Sequence, residues 1–207
     1  MLAAILLGIT TVSLTPTDDI WVYPHSSDPA RDANLRIWGS DDKPAATSVS
    51  DLEQFSYSFL KFPVESLTDQ KPKAARLILW SVANPTFTVE QSKRAPLQVR
   101  PVSPDFTEKA WTYDQAEKLM PDASEKVVFG ETSVTDISGS VPLRIEIDLL
   151  KGPGKFADYL VNAKRTGKPF ALALTAGLNV TDNRSSYKIY SRDAERESLR
   201  PKLEIDY

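Results

Sequence analysis

The sequence predicts an antiparallel β-sandwich with one or two short helices, and three observations carry that expectation. About eight or nine short runs alternate apolar and polar residues with the period of two that a half-buried strand requires. Turns bearing proline and aspartate separate these runs, and the 15 prolines fall mainly between them, where they also blunt exposed strand edges. Only two brief stretches have helical character. A chain of 207 residues can bury one core without a disulfide or metal staple, and an all-β domain of that length need not divide.

In chain order, Ile20 to Tyr23 is the first run of strand formers, bounded by Asp18-Asp19 and Pro24. Asn34 to Trp38 is the second, followed by a polar loop. Phe55 to Val64 sets Leu60, Phe62 and Val64 against Phe59, Lys61 and Pro63. Ala75 to Val82 sets Ala75, Leu77 and Leu79 against Arg76, Ile78 and Trp80, and Leu97 to Val102 follows. Val141 to Leu149 alternates Leu143, Ile145 and Ile147 with Arg144, Glu146 and Asp148. Phe170 to Thr175, Ser186 to Ser191 and Lys202 to Tyr207 complete the strands. Tyr113 to Met120 reads as a helix stopped by Pro121; Lys155 to Arg165 reads as another, with Phe156, Tyr159, Leu160 and Ala163 on one stripe and Gly167 as its stop.

Met1 to Leu14 is apolar and uncharged and breaks at Pro16. It is too short to span a bilayer, and its length suits the apolar region of a signal peptide, although the basic residues that usually precede one are missing. A truncated gene start, or an apolar strand kept in the mature protein, is the alternative. Residues 1–15 are therefore read as a signal peptide or apolar N-terminal segment, and 16–207 as a single β-sandwich domain. That reading places the protein outside the cell, secreted or at the cell surface, without a membrane span.

Composition excludes several chemistries. With no cysteine there is no thiolate metal site, iron–sulfur cluster or cysteine nucleophile. The single histidine, His25, lies in a polar run without a Gly-x-Ser-x-Gly elbow. A net charge of -3 predicts no strong attraction to nucleic acid. Carboxylate pairs such as Asp18-Asp19, Asp41-Asp42, Glu146/Asp148 and Glu195/Glu197 exist, but none has the apolar setting that a glycosidase acid needs. The sequence is expected to be non-catalytic.

With the alternating apolar residues turned inward, Lys61, Arg76, Trp80, Arg144, Lys188 and Tyr190 point outward. Aromatic faces for sugar C–H surfaces beside cations for carboxylates suit an acidic glycan. The same residues also fit an ordinary solvated face, or one covered by the segment from Asn84 to Val141. Asp18, Asp19 and Asp193 are candidate ligands for structural calcium, since the two ends of a sandwich domain can meet; ordinary turn aspartates are the alternative. No EF-hand spacing is present.

Several segments together resemble one family. Ser58-Phe59-Leu60-Lys61-Phe62 is similar to its S-Y-L-K-F strand, and Ala75-Arg76-Leu77-Ile78-Leu79 to the A-x-L-x-L strand that follows. Trp111 matches a tryptophan ahead of a polar stretch, and Ile145 to Asp148 leads into a short helix from Phe156 to Lys164. Ala171 to Leu174, then Ser191-Arg192-Asp193, then Arg200-Pro201-Lys202-Leu203-Glu204-Ile205-Asp206-Tyr207 resemble the closing strand, S-R-E and R-P-x-L-x-I-x-Y. The family is that of the DNRLRE domains, also grouped as carbohydrate-binding module family 96. Asp193 departs from its usual Glu, and the region from Asn84 to Val141 is long for it. The resemblance implies a jelly-roll sandwich in a secreted or cell-surface protein, often beside polysaccharide-acting enzymes, with some members binding acidic polysaccharides such as alginate. A secreted carbohydrate-binding module is the leading expectation. A structural subunit of a surface layer, matrix or filament, assembling with its own copies, is the alternative, with the apolar N-terminal segment serving as a donor strand.

Overall fold

The computed structural model describes residues 10–22, 32–39, 56–82, 87–111, 119–134, 142–177 and 186–207. Its strands are β1 (Thr11–Leu14), β2 (Asp18–Val22), β3 (Asn34–Trp38), β4 (Tyr57–Phe62), β5 (Ala74–Ser81), β6 (Leu97–Val102), β7 (Gly130–Thr132), β8 (Leu143–Asp148), β9 (Phe170–Ala176), β10 (Ser186–Tyr190) and β11 (Lys202–Asp206). Two helices accompany them, α1 (Val89–Arg94) and α2 (Phe156–Thr166).

All the strand pairs are antiparallel, and they form two sheets. In the first, β5 is the hub. One of its edges takes β11 along Ala74–Ile78 and then β10 at Ser81, while β8 occupies the other edge. Outside these lie β1 on β11 and β3 on β10. The second sheet has the order β2-β4-β9-β6-β7. This is the all-β sandwich that the alternation predicts.

Alternation is what builds the main core. Leu77, Leu79, Ile145, Ile147, Ile189, Leu203 and Ile205 from the first sheet meet Leu60, Phe62, Val99, Leu172 and Leu174 from the second, all buried. Burying each such side chain contributes about 1.5–3 kcal/mol. Helix α2 adds Phe156, Leu160 and Ala163 to this core, and Gly167, at φ 65°, ends it in the left-handed conformation expected of a glycine stop. At one margin β7 crosses β8 closely. A Cβ at Gly130 would lie 2.2 Å from the Asp148 carbonyl oxygen, so only glycine fits there.

The second sheet also buries its outer face. Ile20, Val22, Tyr57, Phe59, Val102, Ala171 and Ala173 form a second apolar cluster, closed by Phe106 and Leu119, with Trp111 and Met120 packed on it. The described parts of the segment between β6 and β7 therefore lie over this sheet. The first sheet carries no such cover among the described residues.

Three elements depart from the sequence reading. Thr11–Leu14 of the apolar N-terminal segment forms β1, in register with Leu203–Asp206, and the Tyr207 N–H donates to the Thr10 carbonyl at 3.0 Å. Thr11–Leu14 is thus an outer strand of the first sheet, as the strand alternative for this segment expects. Strand β7, at three residues, is too short to show a period. Helix α1 falls in a stretch without a predicted element, yet its signal is local: Thr88 and Gln91 form a capping box. Most of the expected helix Tyr113–Met120 lies outside the described residues, as do His25 and Asp41-Asp42.

Candidate functional site

Five of the six outward candidates share one surface. Leu79, Ile145, Ile189 and Leu35 point into the core, so Trp80, Arg144, Tyr190 and Asn34 point away from it. Trp80 pairs with Arg144, and Tyr190 pairs with Asn34. Because Ser81 pairs with Ile189, one further step in that antiparallel register sets Trp80 opposite Tyr190. Arg144, Trp80, Tyr190 and Asn34 therefore form one row across β8, β5, β10 and β3. With strands about 4.8 Å apart, the row is roughly 14 Å long.

Lys188 flanks this row on β10, whereas Arg76 lies further along β5, with the buried Ile78 between it and Trp80 on the same face. The Arg76 guanidinium is 3.3 Å from Asp206 and 3.7 Å from Glu204, and Arg144 lies 2.5 Å from Glu146. Carboxylates on the neighbouring strand for Arg76, and two residues along the same strand for Arg144, thus already neutralise two of the cations chosen for an acidic ligand. Lys188 is exposed. Asn34 was not among the candidates; its neighbours along the chain do not single it out, and only strand register brings it beside Tyr190.

Lys61 belongs elsewhere. It does point away from the main core, but on the second sheet, beneath the segment that covers that sheet. At 9 % exposure it donates to the Phe106 carbonyl, lies 4.8 Å from the centre of the Phe106 ring and pairs with Asp18 at 3.2 Å. Its apolar stem and its charge are both consumed in holding the cover. It is not part of the open surface.

The expected meeting of the domain's two ends does occur. Asp19 on β2, Asp193 in the turn after β10 and Glu108 in the 3₁₀ turn Glu108–Ala110 each place a carboxylate oxygen within 4.8 Å of the others. Asp18 is not in this group; it accepts from the Glu108 N–H at 3.3 Å and pairs with Lys61. Glu108 was missed because it is distant in sequence and lies in an irregular stretch. The Asp19 N–H donates to Glu108 Oε1 at 2.5 Å, and Asp19 Oδ2 accepts from the Arg192 N–H at 2.7 Å. Arg192 Nη1 spans both Glu108 oxygens, at 3.1 and 3.0 Å.

Three carboxylates at this spacing offer hard oxygen ligands of the kind calcium takes. Here Arg192 already occupies Glu108, and burial raises the Asp19 pKa well above the ordinary aspartate value, with Glu108 and Asp193 adding repulsion against the bond from the Arg192 backbone. The cluster is a latch that joins β2, the covering segment and the β10–β11 turn.

That shift has a measurable consequence. Asp19 holds its proton more tightly folded than unfolded, so its contribution to stability is fullest below the usual aspartate range. It is lost as pH rises through the raised folded value. Asp19→Asn keeps an acceptor for the Arg192 N–H and carries no charge. Melting temperatures of both proteins between about pH 4 and 8 should show the variant gaining on the wild type as pH rises. Parallel pH profiles would overturn this account of Asp19.

No helix among the described residues is long and apolar enough to cross a membrane. No protein-family model matches the sequence, and a comparison with curated proteins finds no match.

Proposed function

We propose that the protein is a non-catalytic, extracellular carbohydrate-binding module whose platform is the open face of the first sheet. The observation that carries this reading is the row Arg144–Trp80–Tyr190–Asn34. It places two aromatic side chains side by side on the sheet face that the described chain leaves uncovered. Aromatic faces accept the C–H surfaces of sugar rings, and the guanidinium and amide at the ends can bond hydroxyls. The ordered likeness to DNRLRE-domain segments supports a polysaccharide ligand and an extracellular setting; the acidic class that the same likeness implies is not carried over.

The charge pattern bears on which glycan. Arg76 and Arg144 face Asp206, Glu204 and Glu146, so donors and acceptors alternate across the face. Such a surface matches a hydroxyl-rich neutral chain better than a polyanion.

Affinity electrophoresis in gels containing β-glucan, mannan, xylan or alginate tests the reading. At least one polymer should retard the full chain, and Trp80→Ala should weaken that retardation about tenfold or more, the usual cost of removing an aromatic anchor. Trp80 is only partly exposed, so the variant's melting temperature is measured alongside, and retardation is compared at a temperature where both proteins are folded. A wild-type chain that no polymer retards would falsify the proposal.

A further inference from the structure

The row ends at a cavity of about 420 Å³, beside Asn34 and Tyr190. Its apolar lining includes Ala194 and Leu199, both buried, and its rim carries Glu195 and Arg196, both exposed. The volume lies within the range of about 300–1,000 Å³ common for small-molecule sites.

Backbone bonds hold the walls in place without a ligand. Ala33 accepts from the Ser191 N–H at 3.1 Å, and Ser191 accepts from the Ala194 N–H at 3.2 Å. Arg200 Nε donates to the Ala194 carbonyl at 2.9 Å. Asn34 spends its backbone N–H and its side-chain Nδ2 on Asp32 Oδ1, at 3.1 and 3.3 Å. Its side-chain oxygen is left to accept from a hydroxyl. One acid and one base at the rim cancel, which favours an uncharged occupant carrying both donors and acceptors. An aromatic wall with an apolar floor and a polar rim is the lining that a sugar ring, apolar on its faces and polar at its edge, fits.

We propose that this cavity is the end subsite of the platform and takes one neutral sugar unit. The ring face lies on Tyr190, with hydroxyls directed at Asn34, Glu195 and Arg196. The inference rests on the glycan-binding reading above. It adds a place and a charge class to it.

The test uses the full chain in the same four gels, with Ala33→Phe to fill the exposed side of the cavity, Arg196→Ala to remove a rim donor, and Trp80→Ala as reference. In a neutral polymer that retards the wild type, Ala33→Phe should weaken retention about tenfold and Arg196→Ala about three- to tenfold, the worth of one good polar contact. If Trp80→Ala loses retention while both cavity variants match the wild type, the platform stands and the end subsite is refuted. Retardation by alginate alone would also refute it. If no polymer retards the wild type, the glycan reading itself fails. Arg196 is exposed, so that variant decides the matter if Ala33→Phe does not fold.

Discussion

Replacing Arg100 with leucine is expected to cost about 3–5 kcal/mol of folding stability, a large part of what a domain usually possesses. Arg100 is fully buried on β6, and each of its N–H donors meets an acceptor. Nε reaches Thr175 Oγ1 at 3.3 Å; Nη1 reaches the carbonyls of Asp122 and Ser124 at 2.9 and 2.8 Å. Nη2 reaches Gln98 Oε1 at 2.7 Å and Glu125 Oε1 at 2.8 Å. Burial lowers its pKa and the pairing with Glu125 opposes that, so the network supports the charge.

The cost divides unevenly. Glu125 is 53 % exposed and can turn to water, so its share is small. Thr175 and Gln98 are buried and cannot, and each loses about 1–3 kcal/mol of satisfied bonding, while the guanidinium's own burial adds the rest. Urea unfolding of wild type and variant measures the difference. A loss below about 1 kcal/mol would mean that water enters and replaces the guanidinium. Because the network ties residues 122–125 to β6, the same variant should also speed proteolysis within the segment that covers the second sheet.

Phe62→Ala should be of comparable size, about 3–5 kcal/mol, by a different mechanism. Phe62 is wholly buried on β4, directly paired with Phe170 of β9, and the two rings stack with centroids 5.5 Å apart. Truncation removes apolar burial and leaves a cavity between two paired strands that cannot close in. An unfolding free energy lowered by less than about 1 kcal/mol would show that the sandwich collapses onto the space. Neither variant touches the open face of the first sheet. Under the proposed glycan-binding function, any folded fraction of either variant should keep the wild-type retardation, which separates stability from recognition.

Elements were legible where one signal, alternation, was strong. Strands β3 and β6 coincide with the runs Asn34–Trp38 and Leu97–Val102, and helix α2 with the stripe from Phe156 to Ala163. Each pattern is local, because a strand or helix face is a property of neighbouring residues. The N-terminal strand was harder, since an apolar, uncharged run that breaks at Pro16 reads as a leader before it reads as a buried strand.

For the candidate site, residue type and face could be read in advance, but neighbours could not. Alternation assigned Arg76, Trp80, Arg144, Lys188 and Tyr190 to outward positions. It assigned Lys61 to one as well, and there the tertiary structure decided otherwise, because outward from a sheet is not outward to water once another segment lies over it. Likewise Asp19 and Asp193 were chosen as chain ends that could meet, whereas Glu108 and Arg192 complete the cluster through long-range contacts that have no periodic signature. The sequence by itself determined which residues face away from the core. Only strand register and the packing of the covering segment determined which of those faces the described residues leave open, and which side chains became neighbours on it.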